Sequence, residues 1–554
     1  MAHALITFIM PLLLLFAGWW ITSIDDLYLW GLFVMGAGFV LFIKKIILFL
    51  KLSFQAASQI DLLHESRTLS NDYGHARLAR DSDAFVKKLS KTMNGFYIGT
   101  LGTLALFYDP FKSGNGHMLT YAPSRTGKTI SVIIPALMHW FGGSLFVIDV
   151  KGELTAITAA FRRAMGQMVI IFNPFNVLGI EGLRFNPLRV LVDDIMNNSG
   201  RELSSLARTI ALQLIPEKTN DMGDGAFFRN GARRLIIALL IYMAVFKPDR
   251  CNLPTLRTLV WSTNEAKLEI ANKMQEKDWL AGLLQDYGNA LADMLLPEYV
   301  KTYGAFRDNA MSALEIFEAH SPLGKAMETS DFSLNDVLDG KTTLYLIIPE
   351  SKLETHGAAL GLITTLLLET IAAKPKPTKI MMLMEEMGNL GRIPNLNKAL
   401  SLLPSKGVRL WMVFQSRRQP IEIYGQQMAG LIEEQSSMMQ AWSIRGEMDR
   451  KAWSARIGFE TRKARSLARD SNNDLSPWRL NISERAAPVM SADEIGRMNT
   501  DQQLIAIDGQ LVIKCDKLAY FQIEPWRSEA NKSPYHGKNY PEDKPVRHKL
   551  DRSS

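Results

Sequence analysis

Two long apolar runs open the chain, and a different rhythm follows them. Residues 4–24 are almost wholly apolar, and so are residues 27–43, with another short apolar stretch beyond Lys44 and Lys45. A helix needs about 20 apolar residues to cross a bilayer. The first run has that length, and the second reaches it if the two lysines snorkel. Only residues 23–26 separate the runs, which predicts a tight helical hairpin. Trp19, Trp20 and Trp30 fall near its turn, where interfacial aromatics belong, and Lys44, Lys45 and Lys51 follow the second run. The positive-inside rule then places both chain ends in the cytoplasm. A cleaved signal peptide would carry a basic leader and a small-residue cleavage site, and neither is present.

Residues 52–94 are polar and read as a helical connector. Short, nearly continuous apolar runs follow at 117–122, 144–150, 168–173, 343–349, 379–386 and 408–416. Such runs predict strands buried on both faces, and their alternation with helical stretches predicts a mainly parallel α/β sheet. Residues 192–335 break the rhythm with helical patterns such as 232–246, and predict an all-α domain inserted between two core strands. The chain therefore divides into a hairpin (1–51), a connector (52–94), an α/β domain in two parts (95–191 and 336–529) around the helical domain (192–335), and a polar tail (530–554). That tail has little to bury and is expected to be mobile.

Composition narrows the picture only slightly. Of 554 residues, 47% are hydrophobic and 21% charged, which excludes a disordered chain. The net charge of +7 suits work near phosphates or anionic lipid. The two cysteines, Cys251 and Cys515, are far apart, so neither a disulfide framework nor a zinc site is predicted.

The chemistry concentrates in two places. Ala122, Pro123, Ser124, Arg125, Thr126, Gly127, Lys128 and Thr129 follow an apolar strand and precede a helical stretch. They fit the phosphate-loop pattern G-x-x-x-x-G-K-[ST], with Ala122 in place of the first glycine. Such a loop wraps phosphates in main-chain amides at a helix start. Lys128 is expected to reach the β- and γ-phosphates of ATP, and the Thr129 hydroxyl to hold Mg²⁺. The second place is the acidic end of a strand, Glu385 and Glu386. Glu385 is the candidate metal residue, usually through water, although aspartate is commoner there. Glu386 is the candidate to orient or deprotonate the attacking water. Gln415 ends a further strand and is a candidate sensor of the γ-phosphate.

Several segments in order resemble the type IV secretion coupling proteins, the TraG-like conjugative DNA-transfer ATPases. They are the hairpin, YGHARLA (73–79), YAPSRTGKT (121–129), LFVIDVKGEL (145–154), FNPF (172–175) and FNPL (185–188), MEEMGNLGRIP (384–394) and VFQSRRQPIEIYG (413–425). The resemblance runs to about Trp526. It implies a RecA-like P-loop core with an inserted all-α domain and an N-terminal transmembrane hairpin, forming a homo-hexameric ring under the bacterial inner membrane. It implies ATP hydrolysis and delivery of nucleoprotein to a secretion channel, with the all-α domain recognising the relaxase and accessory proteins. It carries Lys128, Thr129, Glu386 and Gln415 over in the roles above, and leaves Asp149, Lys151 and Glu153 without a role. Leu78 stands where the family often has Trp. The hairpin turn is shorter than in many members, so docking to the channel must rest largely on the spans.

The expected partners are channel components, a relaxase–DNA complex, DNA gripped through its phosphates without sequence reading, and membrane lipid. A neighbouring subunit should supply an arginine to each site, and Arg417 and Arg418 are candidates. Three rivals are kept: a related motor carrying protein effectors, a nucleotide-binding scaffold that does not hydrolyse, and a chromosome-segregating DNA pump. The pump would show about four spans and a DNA-reading C-terminal domain, and neither is visible.

Overall fold

The computed structural model describes residues 2–65, 73–92, 94–112, 116–217, 224–374, 376–390, 392–393, 396–468, 479–534 and 545–550. They form two compact units. The smaller holds the chain up to His75 together with residues 459–487, and the larger holds the rest.

In the smaller unit, helix Ala2–Ile21 folds back on helix Tyr28–Glu65 through a single 3₁₀ turn, Asp25–Leu27. Three glycines let the backbones meet. A Cβ at Gly18 would lie 2.5 Å from Met35 Cγ, and one at Gly31 would lie 2.5 Å from the Thr22 backbone nitrogen. A Cβ at Gly38 would lie 3.2 Å from the Leu14 Cβ. Small residues at such crossings are what helix pairs use in lipid. The turn's hydroxyls are satisfied locally, Thr22 donating to the Trp19 carbonyl at 2.6 Å and Ser23 to that of Trp20 at 2.5 Å. Leu13, Phe16, Trp19, Trp20, Leu29, Trp30 and Phe33 all face outward. The second helix does not stop at Lys44 and Lys45 but runs unbroken for 38 residues. At 1.5 Å per residue that is about 57 Å, well beyond one hydrocarbon layer. The same unit holds a two-stranded ribbon, Phe459–Ala468 with Arg479–Pro488, whose start bridges to His75.

The larger unit is built on one 11-stranded sheet. Its strands, numbered along the chain, are β1 Phe96–Leu101, β2 Leu104–Tyr108, β3 His117–Tyr121, β4 Ser144–Ile148, β5 Met168–Phe172, β6 Thr342–Leu346, β7 Ile380–Met384, β8 Val408–Phe414, β9 Ser436–Ala441, β10 Gln502–Ile507 and β11 Ile513–Asp516. In space the order is β2-β1-β11-β10-β9-β3-β8-β7-β4-β6-β5. From β9 to β5 all neighbours are parallel. From β9 to β2 they are antiparallel.

The six predicted strands are β3 to β8; five are buried throughout, and β5, at the sheet edge, is exposed at Met168 and buried from Ile170 onward. Side chains alternate between two cores. Leu119, Phe146, Ile148, Ile170 and Phe172 face one, and Met118, Leu145, Val147 and Ile171 face the other. Between β5 and β6 the chain runs through helices from Arg189–Asn198 to Pro322–Ala326, with no strand among the described residues. Leu235, Ile236 and Leu239 of helix Asp224–Phe246 join the first core. Helices Ile134–His139 and Glu153–Ala164 cover the opposite face. Helix Glu350–Ala373 is long and apolar enough to span a bilayer but is packed inside this unit, as a core helix is.

The antiparallel extension β1, β2, β9, β10 and β11 was not foreseen from the residues. Of the polar tail, residues 535–544 and 551–554 lie outside the described residues. The part between them is not loose: His548–Lys549 pairs in parallel with Ile523–Glu524, and the Arg547 amide donates to the Gln522 carbonyl at 2.8 Å.

Candidate functional site

The strand order decides which residues can meet. β8 lies between β3 and β7, so the loop after β3, the end of β8 and the acidic end of β7 are three neighbours along one sheet edge. Strand ends at such an edge are where open α/β sheets bind ligands.

After β3 the backbone turns sharply. The Ala122 amide extends the ladder by donating to the Phe414 carbonyl at 2.9 Å, and Ala122 is fully buried. A small side chain thus suffices where the pattern has glycine. Arg125 and Gly127 take left-handed backbone angles, φ 62° and 84°. The second suits glycine, and the first is strained for a residue with a Cβ. The helix that follows opens as a wide turn, Thr129–Ile133, in which the Ile134 amide reaches back to the Thr129 carbonyl. Pro135 has no N–H to offer the regular ladder, which accounts for the widening.

The side chains then converge. Lys128 is buried and its ammonium donates to Glu386 Oε1 in an ion pair. The Thr129 hydroxyl donates to Glu385 Oε1 at 2.6 Å. Gln415 Nε2 stands 3.5 Å from Glu386 Oε2. The structure therefore brings Lys128, Thr129, Glu385, Glu386 and Gln415 into one cleft. Burial pushes the Glu385 carboxyl up to about 7, against the pull of Lys128 and the Thr129 hydroxyl, with Asp149 and Glu386 adding to the rise. A buried carboxylate of this kind fits a divalent cation, whose charge would restore the ionised form. The Thr129 hydroxyl spends its proton on Glu385, which leaves its lone pairs for the same ion.

Asp149, just past β4, is buried beside this cleft. Its Oδ2 accepts from the Thr155 amide and hydroxyl, both at 2.8 Å, so it caps the first turn of helix Glu153–Ala164. Its Oδ1 has no hydrogen-bond partner among the described residues. Lys151 is exposed on the turn before that helix, and Glu153, its first residue, is half-buried.

Of the two arginine candidates, Arg417 is held in its own chain, donating to Glu433 at 2.6 and 3.0 Å. Arg418 is exposed and pairs with Glu422 one helical turn away at 2.7 Å.

Three residues near the site gave no functional signal in sequence. The Gln419 Oε1 accepts from the Gln415 amide at 2.9 Å, and the Gln419 side chain also abuts Gly388 of the loop after Glu386. Gln419 belongs to a quoted motif but carried no role there. Trp442 Nε1 donates to the Thr126 hydroxyl at 2.9 Å, and Lys517 Nζ donates to the Thr126 carbonyl at 2.9 Å. Both approach the loop from more than 300 residues away, which no local pattern could disclose. Beside Gln415 lies a cavity of about 670 Å³, lined among others by Gln213, Glu354, Gly388 and Arg392.

Residues 67–543 match the family described as type IV secretory system conjugative DNA transfer. The chain belongs to that family. The type IV secretion system-coupling protein VirD4 of Bartonella quintana is 25% identical over 448 residues, covering 79% of this chain and 68% of that one. The conjugal transfer protein TraG of Agrobacterium fabrum is 23% identical over 465 residues, covering 83% and 68%. Among solved structures, the conjugative coupling protein TrwB in its trigonal sulphate form superposes with a TM-score of 0.59 at 14% identity, covering 82% of this chain and 96% of that one. TrwB in complex with ADP and Mg²⁺ gives 0.58 at 14% identity, covering 80% and 93%. These structures share the fold of this coupling-protein chain, the RecA-like core with its helical insertion.

Proposed function

We propose that this coupling protein is an inner-membrane ATPase that drives relaxase–DNA through a type IV secretion channel. One observation carries the reading: the phosphate loop and the acidic strand end share a cleft, with Lys128 on Glu386 and Thr129 on Glu385. The nucleotide complexes of TrwB support it by likeness of fold.

In this reading, the loop from Ala122 to Thr129 binds the phosphates of ATP through its amides. Lys128 exchanges Glu386 for the phosphate oxygens, because a triphosphate offers more negative charge than one carboxylate. That exchange frees Glu386 to act as base. Its carboxylate takes a proton from water as the water oxygen bonds to the γ-phosphorus. The bond from phosphorus to the β,γ-bridging oxygen breaks, and ADP leaves with its electron pair. Thr129 and Glu385 would hold Mg²⁺, which when bound offsets charge on the β- and γ-phosphates. Gln415, bonded toward Glu386, senses the γ-phosphate. Its cavity, bordered by Gln213 of helix Leu203–Leu214, offers a route from the nucleotide to the helical segment, which in this reading recognises the substrate. Arg418 is the arginine better placed to reach a neighbour in a homo-hexamer. Two spans anchor the chain, with Lys44, Lys45 and Lys51 on the cytoplasmic side.

Phosphate release by the full chain in detergent with Mg²⁺ and ATP tests the proposal. Lys128→Ala and Glu386→Gln should each lower turnover by about 10²-fold or more. Glu386→Gln should still bind ATP. A wild-type chain that binds ATP without turnover would favour the recruitment scaffold. Pull-down of relaxase or of a protein effector would decide the cargo.

A further inference from the structure

A buried cation stands behind the phosphate loop. Lys517 follows β11 and is only 6% exposed. Its ammonium donates to the Thr126 carbonyl at 2.9 Å and lies 5.6 Å from the centre of the Trp442 ring. Trp442 also holds the Thr126 hydroxyl at 2.9 Å, and that hydroxyl donates to the Pro123 carbonyl at 2.7 Å. The loop is thus gripped at Thr126 from β9 and from the end of β11. No ion pair to Lys517 is found among the described residues. Burial drives its pKa down, and Asp501 only partly opposes this. An ammonium kept in such a place carries a desolvation cost, so its charge calls for a use.

Peptide geometry supplies one. A trans peptide points its carbonyl and its N–H in opposite directions. Lys517 binds the Thr126 carbonyl, so the Gly127 N–H of the same peptide points away from Lys517. The left-handed φ of 84° at Gly127 then turns the chain into Lys128. A cation on a carbonyl oxygen polarises the peptide and strengthens its N–H as a donor. The space where a Gly127 Cβ would sit lies 3.5 Å from Lys517 Nζ, so ammonium and peptide are close-packed.

We infer that Lys517 is a positioning residue of the phosphate site, fixing and polarising the Thr126–Gly127 peptide so that its N–H binds the nucleotide's phosphates. This rests on the nucleotide reading above. Lys517 acts through the loop and touches no phosphate itself, and its effect belongs to ligands that reach the loop's amides.

The test measures binding of ATP, ADP and AMP to the full chain in detergent. Lys517→Met keeps the apolar stem and removes the charge. It should weaken ATP and ADP by about tenfold or more and AMP by less than about threefold. Lys517→Arg should restore ATP binding to within about threefold. Lys517→Gln, a neutral donor, should fall between them and serves as the charge-removal variant if Lys517→Met does not fold. Trp442→Phe loses one hydrogen bond but no charge, and should cost less than about threefold. Equal loss for AMP and ADP, or charge-removal variants that bind ATP as tightly as wild type, would overturn the inference. A wild-type chain that binds no nucleotide would instead sink the ATPase reading.

Discussion

The Thr129 hydroxyl lies 2.6 Å from Glu385 Oε1, and this bond ties the last residue of the phosphate loop, where the helix begins, to the end of β7. The hydroxyl serves two partners only if its proton goes to one and a lone pair to the other. Thr129→Val keeps the shape and removes both functions. It should raise the Mg²⁺ needed for half-maximal hydrolysis about tenfold or more, whereas Thr129→Ser should stay within about threefold. A Mg²⁺ titration of phosphate release reads both variants, and an unchanged Thr129→Val curve would remove Thr129 from the metal site.

Gly388 has no room for a side chain, because a Cβ there would collide with the amide of Gln419. Gln419 can yield, being a flexible side chain, but in yielding it releases the Gln415 amide. Gly388→Ala should therefore slow turnover about tenfold while ATP affinity changes less than about threefold. Gln419→Ala should give the same split by the other route. Turnover and KM measured separately check this, and a loss confined to KM would mean that the contact serves binding alone.

His117 makes the fold sensitive to acid. Its Nδ1 accepts from the Leu410 amide at 3.0 Å, so its Nε2 must carry the proton it gives to the Leu400 carbonyl at 2.9 Å. The first bond needs the neutral ring, and the second is kept when the ring is charged. Burial lowers its pKa from 6.5 to about 4, with the Leu400 carbonyl opposing and Arg409 assisting. Above pH 6.5 folded and unfolded chains both hold it neutral. Between 6.5 and about 4 the unfolded chain takes up a proton that the folded chain refuses. Stability therefore falls as the pH falls through that window, by roughly 3 kcal/mol at its foot. His117→Gln should flatten the fall in unfolding temperature between pH 6.5 and 5, where most carboxylates stay ionised. A slope equal to wild type would assign the sensitivity elsewhere.

The hairpin's glycines set a distance that can be trapped. A Cβ at position 38 would stand 3.2 Å from that of Leu14, close to disulfide range. Leu14→Cys with Gly38→Cys should oxidise to an intramolecular bridge in membranes, while the buried Cys251 and Cys515 stay reduced. Adding Gly31→Leu, whose Cβ meets the Thr22 backbone at 2.5 Å, should cut the yield at least severalfold. Gel mobility before and after reduction reads the bridge. Full bridging despite Gly31→Leu would mean that the helices do not depend on this crossing.

The parallel half of the sheet was legible because strands buried on both faces write themselves as apolar runs, as in Leu145 to Ile148. The candidate cluster was legible because Glu385, Glu386 and Gln415 sit at the ends of such runs, while Lys128 and Thr129 close the phosphate-loop pattern that follows one. The antiparallel half was not. β9 reads Ser-Ser-Met-Met-Gln-Ala, and β11 has only four residues, so neither carries a run of its own. Gln440 on β9 is buried because its amide donates to the Thr120 hydroxyl at 2.8 Å, a bond between strands that the sequence separates by 320 positions. Lys517 and Trp442 likewise reach Thr126 across more than 300 positions, a separation that no local pattern shows.

The place of β11 between β1 and β10 also bears on how the protein is made. β1 emerges from the ribosome early and its neighbour β2 follows within a few residues, yet its other edge waits for β11, about 400 residues later. Until then the nascent molecule shows an open strand edge to every neighbour, which invites aggregation. A shortened version ending before residue 513 would keep every nucleotide motif and leave that edge bare for good, so it should accumulate as insoluble material.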